Sequence, residues 1–177
     1  MSKVIKIGIV VIAVIAVAAG VAAVVAMKVD KEEAGEELPL AEIVEKLYEG
    51  VDVPGYETIA LDESNFEFYA FVPYSEKMSA VAADALINVT PHSLVVIHTD
   101  GDGAELAAEV IKNADPNKWL CVGSDIVYVG YTDNYVVLVM SFADTAKDIM
   151  DNFKELAPKL DGMEMNMLTA GNWRYEQ

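Results

Sequence analysis

Two patterns of apolar residues divide the chain. Residues 7–27 form a run of 21 residues that is apolar apart from Gly8 and Gly20, and no charge interrupts it. At about 1.5 Å per residue, a helix of this length is roughly 31 Å long, the thickness of a bilayer's hydrocarbon core. The pattern predicts a transmembrane helix, so the membrane is the first partner that the sequence indicates.

The residues around this helix predict its orientation. Lys3 and Lys6 precede it and Lys28 and Lys31 follow it, so the lysine count is balanced. A short basic N-terminus before an apolar run is typical of a signal sequence, which favours a cytoplasmic N-terminus and an extracytoplasmic domain. We therefore predict that residues 1–27 are an uncleaved signal-anchor at the cell membrane. Cleavage at its small residues is the alternative, while the absence of a nearby cysteine excludes lipoprotein processing.

The remaining chain is patterned as one folded domain. Residues 28–39 are acidic and contain Gly35 and Pro39, which predicts a solvated spacer. Period-3.6 and period-2 apolar spacing alternate over residues 40–177. The predicted helices are residues 40–48, 76–90, 103–114 and 144–157, and the predicted strands are residues 56–61, 66–72, 93–99, 119–122, 126–131, 135–140 and 163–168.

This order of elements predicts the fold class. Residues 93–99 are apolar at every position but the ends, as in a central strand, and the turn at residues 132–134 predicts a hairpin. Asp102 is the predicted N-cap of the following helix, with Glu105 completing a capping box. We expect an α+β domain of two layers, in which helices pack on one face of a mostly antiparallel or mixed sheet.

Charge is distributed unevenly along the chain. Residues 28–177 hold all 29 acidic residues and 10 basic ones, a net charge of −19, whereas the whole chain carries −17. A surface this acidic repels phosphate, so nucleic acid is excluded as a partner. The single cysteine excludes an internal disulfide. No phosphate-binding loop, dinucleotide fingerprint or zinc-protease motif is present, and the sequence indicates no cofactor.

His98, Asp100 and Asp102 are the first candidate for a metal site. They lie at the end of the predicted central strand, and imidazole together with carboxylate suits a divalent cation. The pattern departs from a calcium-binding loop because Ala104 occupies a ligand position. The alternative interpretation is structural, with Asp102 capping a helix, Asp100 starting a turn and His98 alternating along a strand.

Met163, Met165 and Met167 are the second candidate for a metal site. They alternate along the last predicted strand, so their thioethers would share one face. Soft sulfur ligands suit Cu(I). The alternative is core packing, because a half-buried strand carries apolar residues at every second position.

An envelope hydrolase centred on His92 and His98 is a further hypothesis. It requires both histidines in one pocket, beside a hydroxyl or carboxylate such as Ser93 or Asp100. Adjacent residues of a strand point to opposite faces, which argues against a pair formed by His92 and Ser93. Cys121 lies within a short predicted strand, so we expect a buried, unreactive thiol.

Four segments of the sequence, residues 78–80, 92–96, 113–122 and 136–141, occur together in a recognisable order. They resemble small membrane-anchored extracytoplasmic proteins of unknown function, hypothetical or lipoprotein-like, from anaerobic, mostly Gram-positive bacteria. The resemblance covers about residues 40–157, although this chain lacks a lipid-accepting cysteine. It implies an extracytoplasmic location and a role of Trp119 and Cys121 in the fold, and no catalytic residue.

These observations together favour a binding protein over an enzyme. We expect a non-catalytic, single-pass anchored module that binds a protein, a peptide or an envelope component. Aromatic residues over 66–74 and 128–135 would suit an exposed binding surface if alternate side chains face outward. The alternative is that helices and neighbouring strands cover both faces.

Overall fold

The computed structural model describes residues 38–170. Within this range the chain forms six strands and four helices, an α+β fold. The helices are α1 (Leu40–Leu47), α2 (Phe66–Ala70), α3 (Gly103–Asn113) and α4 (Ala143–Asp161). The strands are β1 (Tyr56–Leu61), β2 (Ser79–Ala85), β3 (Ser93–His98), β4 (Ile126–Tyr131), β5 (Tyr135–Ser141) and β6 (Asn166–Ala170).

The strands form one antiparallel sheet in the order β1-β2-β3-β5-β4-β6. β3 and β5 lie at its centre, where Ser93 pairs with Met140 and His98 with Tyr135. Every residue of β5 is buried, and so is every residue of β3 except His98. The predicted central strand and the predicted hairpin are therefore confirmed.

Helices cover both faces of the sheet, so the predicted two-layer arrangement with helices on one face is wrong. α1 and α4 pack on one face, where Phe153 is fully buried, and α2 and α3 pack on the other, where Phe66 is fully buried. β3 shows the physical reason, because Leu94 and Val96 contribute to the first core and Val95 and Ile97 to the second. A strand that is apolar at consecutive positions needs a cover on both sides.

Close packing of the helices depends on small residues. A Cβ atom at Gly130 in β4 would lie 2.8 Å from Phe153 Cδ1 and from Met165 Sδ, so a larger residue would have to displace side chains that pack under α4. A Cβ atom at Gly103 would lie 2.0 Å from the carbonyl oxygen of Thr132. The N-terminus of α3 therefore approaches the β4–β5 turn more closely than any other residue type permits.

Three predicted elements are wrong. Residues 66–72 contain the helix α2 instead of a strand, and this helix ends at Phe71, which has a φ of 60°. Residues 76–90 contain the strand β2 and a loop instead of a helix. Residues 119–122 form no strand: Cys121 has a φ of 66° and is exposed, so the predicted buried thiol is also wrong.

The remaining predicted elements agree with the structure apart from their bounds. The last helix runs longer than predicted, to Asp161, and the last strand starts at Asn166. Asp102 is the N-cap residue of α3, but its side chain makes no capping hydrogen bond. The predicted anchor, residues 1–27, and most of the spacer lie outside the described residues. Among residues 38–170, no helix is both long and apolar enough to cross a bilayer.

Candidate functional site

The strongest candidate site is a set of large apolar side chains exposed at one end of the sheet. This end, here called the apolar end, is where β2 and β5 finish and where β3 and β4 begin. The exposed fractions are 63% for Leu86 and Ile87, 59% for Val89, 67% for Leu120 and 48% for Phe142. Scattered exposed apolar residues are ordinary, whereas several on adjoining loops indicate a binding surface.

Three of these side chains lie on the loop between β2 and β3. Residues 85–99 contain no charged residue, so no charge accompanies Leu86, Ile87 and Val89 on this loop. The loop is fixed by backbone hydrogen bonds, in which Leu86 N donates to Gly55 O over 2.9 Å and Ala85 N donates to His92 O over 3.1 Å.

A buried polar cluster supports this loop on the face of the sheet that α1 and α4 cover. His92 has no exposed surface; its Nε2 lies 2.8 Å from Tyr48 Oη and its Nδ1 lies 2.9 Å from Ser141 Oγ. Burial lowers the pKa of His92 to about 4, since the charged imidazolium loses its hydration. Burial likewise raises the pKa of Tyr48 above its usual value. His92 is therefore a neutral, fully bonded residue that fixes the loop.

A second buried polar cluster supports the loop on the opposite face. Lys118 Nζ lies 3.0 Å from Asp84 Oδ1 and 3.0 Å from Ser93 Oγ. The same ammonium group lies 5.2 Å from the ring centre of Tyr69 and 5.1 Å from that of Trp119, within cation–π range. Burial lowers the pKa of Lys118, and the Asp84 carboxylate opposes this shift. The cluster joins the loop that precedes β4 to the ends of β2 and β3.

Neither cluster is arranged for catalysis. Ser93 and Lys118 have the atoms of a nucleophile and a base, but Ser93 has no exposed surface and Asp84 favours the charged lysine. His92 and Ser93 point to opposite faces, as predicted, because they bond to groups in different cores. His98 lies at the far end of β3 from His92. The geometry therefore gives no support to a hydrolase centred on the two histidines.

The opposite end of the sheet is acidic. Asp62 and Glu63 follow β1, Asp100 and Asp102 follow β3, and Asp133 lies in the β4–β5 turn; all five are exposed. The Ser64 hydroxyl and backbone N–H groups hydrogen-bond to Asp62 and lower the pKa of that carboxyl group. We call this the acidic end.

His98, Asp100 and Asp102 all lie at the acidic end, but the structure does not assemble them as ligands. The ring of His98 packs edge-on against Tyr135, with ring centres 5.0 Å apart, while Asp102 stands at the start of α3. Over residues 38–170, no three His, Cys, Asp or Glu residues are grouped closely enough to hold a metal ion. The role of Asp102 in the structural interpretation is not seen either, because its side chain makes no capping hydrogen bond.

The three methionines differ in their surroundings. Met165 packs against the core beneath α4, whereas Met163 is 38% exposed and Met167 is 48% exposed. Only Met167 lies within β6, where it pairs with Gly130. Core packing therefore accounts for Met165, whereas Met163 and Met167 are exposed to solvent.

The sequence did not reveal the apolar end, because residues 76–90 were predicted as one helix. In that helix Leu86 and Val89 would have been core residues. One signal against this helix was present in the sequence: Pro91 and the predicted strand that follows it leave little room for a helix over residues 76–90. The predicted row of aromatic residues at alternate strand positions is not formed, because residues 66–70 are helical and Phe66 and Tyr135 are buried, although Phe68 is 64% exposed.

Comparison with protein-family models, with curated proteins and with solved structures finds no match to this chain. The resemblance to membrane-anchored extracytoplasmic proteins therefore stays a prediction, and function has to be argued from the geometry of the apolar end.

Proposed function

We propose that this chain is a non-catalytic binding module, anchored in the membrane by its N-terminus and displayed outside the cytoplasm, that binds a partner protein through the apolar end. This proposal depends mainly on one observation, that Leu86, Ile87 and Val89 are exposed together on one uncharged loop. Exposing three large aliphatic side chains together costs hydration free energy that burial in an interface would recover, at about 25 cal/mol per Å².

The rigidity of the loop supports this proposal. Hydrophobic binding sites are most effective when their side chains are already ordered, because less conformational entropy is lost on association. The two buried polar clusters hold both ends of the loop, through His92 on one face and through Asp84 and Ser93 on the other. These contacts favour a loop that is ordered before a partner binds.

The place where the chain enters the described fold also supports the proposal. Leu38 and Pro39 line a cavity of about 270 Å³ together with His98 and Tyr135, so the chain enters the described fold at the acidic end. The apolar end is the opposite end of the same sheet. The first described residues and the apolar loops therefore lie at opposite ends of the sheet.

The partner is tested by site-specific photocross-linking in the native host. A photoreactive amino acid replaces Ile87 in the full chain, and the matched control replaces Asp100 at the acidic end. We expect one protein adduct of defined mass from position 87 and none from position 100. Equal adducts from both positions, lipid adducts alone, or no adduct from position 87 would each reject a protein partner at the apolar end.

The orientation is tested with the chain's own cysteine. Cys121 is exposed and is the only cysteine in the sequence. A membrane-impermeant maleimide applied to intact cells should label the wild-type chain and should leave the Cys121→Ser variant unlabelled. Labelling that appears only after lysis would place the domain on the cytoplasmic side.

A further inference from the structure

The loops of the apolar end carry acidic residues that no exposed basic residue on the same loops balances. These loops are residues 48–55, 86–92 and 114–125, together with the first turn of α4. Their only basic group besides the neutral His92 is the ammonium group of Lys118, which is buried beside Asp84. The surface around the exposed aliphatic side chains is therefore negative. The carboxylates on these loops, here called the acidic rim, are Glu49, Asp52, Asp115, Asp125 and Asp144.

The acidic rim adjoins the exposed apolar side chains. The loop that contains Asp52 is bonded to the β2–β3 loop, because Leu86 N donates to the carbonyl oxygen of Gly55 over 2.9 Å. Asp125 Oδ2 accepts a hydrogen bond of 3.4 Å from the first residue of α4, directly after the exposed Phe142. Apolar and negative groups are thus presented on the same and on adjoining loops.

We propose that the partner of the apolar end is a protein segment in which aliphatic side chains are flanked by lysine or arginine. This inference rests on the proposed function and specifies the chemistry of its partner. The aliphatic side chains of the segment pack against Leu86, Ile87 and Val89, and its basic residues lie over the acidic rim. The centre of an interface contributes most of the affinity, whereas complementary charges at its edge contribute specificity and association rate.

Charge disfavours the other occupants of this surface. A second copy of the chain would bring two acidic rims together, and like charges across an interface cost free energy. The headgroups of an anionic membrane would be repelled in the same way. A basic segment is the occupant for which apolar contact and charge both favour binding.

The first test measures binding of a probe peptide to the full chain in zwitterionic lipid nanodiscs, with empty nanodiscs as the background. The probe is an amphipathic helix of leucine and lysine, and its counterpart has glutamate in place of every lysine. The lysine probe should bind and should associate more slowly as salt rises, because salt screens the attraction. Ile87→Ala should speed its dissociation. No binding of the lysine probe, or equal binding of both probes, would overturn the proposal.

The contribution of the acidic rim is measured with two triple variants. The rim variant combines Asp52→Asn, Asp115→Asn and Asp144→Asn. The control variant removes the same number of charges at the acidic end and combines Asp62→Asn, Asp100→Asn and Asp133→Asn. At low salt the rim variant should slow association of the lysine probe about tenfold, and the control variant should slow it less than about twofold. Equal effects would overturn the proposal, because the net charge of the whole domain would then attract the probe.

The native partner distinguishes this inference from the proposed function. In the native host, the rim variant should lower the yield of the photo-adduct at position 87, and the control variant should leave it unchanged. An adduct whose yield is the same in the rim variant would overturn the basic partner and leave the binding module in place. No adduct at position 87 of the otherwise unchanged chain would reject the proposed function, and this inference with it.

Discussion

The two ends of the sheet use polar and apolar residues in opposite ways. At the acidic end, charged residues such as Asp100 and Asp133 face solvent while a small residue, Gly103, packs tightly beneath them. At the apolar end, titratable residues such as His92 and Lys118 are buried while Ile87 faces solvent. The first arrangement is the usual one for a soluble domain, and the second is its inverse.

This difference bears on the free energy of folding at each end. Burying a charged or polar group costs free energy unless its partners are in place, and exposing aliphatic side chains forgoes burial. The hydrogen bonds of His92 and Lys118 offset the first cost at the apolar end. The second cost remains, because Leu86, Ile87 and Val89 stay exposed, and this is the cost that binding of a partner would remove.

The largest predicted effect tests the packing of the acidic end. Gly103→Ala should lower the free energy of unfolding by about 4 kcal/mol, because the new Cβ would lie 2.0 Å from Thr132 O and must displace backbone. Gly101→Ala is the matched control: its φ is 83° but nothing lies within 4 Å of the new Cβ. Its cost should be about 1 kcal/mol. Denaturant unfolding of the full chain measures both values, and equal costs would contradict the close approach.

The next effect concerns the buried ion pair at the apolar end. Lys118→Met leaves the Asp84 carboxylate without its partner and should lower the free energy of unfolding by about 3 kcal/mol. Adding Asp84→Asn removes the unpaired charge and should recover a large part of the loss. A double-mutant cycle by denaturant unfolding gives the coupling, and a coupling near zero would show that the pair is not structural.

His92 gives the apolar end a specific dependence on pH. Its pKa is about 4 in the folded protein and about 6.5 when unfolded, so between these values the unfolded chain binds a proton that the folded one does not. The free energy of unfolding should therefore fall as pH drops from about 6.5 to about 4, by about 3 kcal/mol in all, and level off below. Above pH 6.5 this contribution is constant.

The control for that prediction is His92→Gln, which keeps a polar side chain but cannot titrate. The difference between the two pH profiles of unfolding isolates His92 from the carboxyl groups that titrate in the same range. Parallel profiles would mean that His92 does not hold a lowered pKa in the folded protein.

The smallest effect on stability should accompany loss of binding. Ile87→Ala should change the free energy of unfolding by less than about 0.5 kcal/mol, since the side chain is 63% exposed. Ile97→Ala, the same substitution at a fully buried position, should cost about 2–5 kcal/mol. With a photoreactive residue at Val89, Ile87→Ala should weaken the partner adduct. A large stability loss at Ile87 would mean that the loop is part of the core.

The sequence predicted correctly those parts of the fold in which the spacing of apolar residues fits only one kind of secondary structure. β3 and the β4–β5 hairpin are continuous apolar runs, and α4 carries a period of 3.6 over its whole length. The failures lie where tertiary contacts decide between similar patterns. β2 is rich in alanine, and its apolar spacing also fits a helix. In the sheet, its small side chains allow helices to cover both faces, with Ala82 in one core and Ala83 in the other.

The candidate site was less accessible from sequence than the fold. The period of apolar residues distinguishes helices from strands but gives no information about exposure within a loop, so Leu86 and Ile87 could be recognised only after β2 had been located. The contacts of His92 and Lys118 join residues far apart in the chain, for example His92 with Tyr48. Such partners depend on strand order, which local patterns do not determine.

The strand order has a consequence for synthesis of the protein on the ribosome. β3 is made before β4, yet its second neighbour in the sheet is β5, which follows β4 in the chain. Translation adds roughly 5–20 residues per second, so one edge of β3 stays unpaired for on the order of seconds. During this time helices do not yet fully cover either of its faces. During this interval the nascent chain presents the apolar residues 94–97 of β3 to other molecules. Translation speed and holdase chaperones should therefore affect the yield of this protein more than its final stability would indicate.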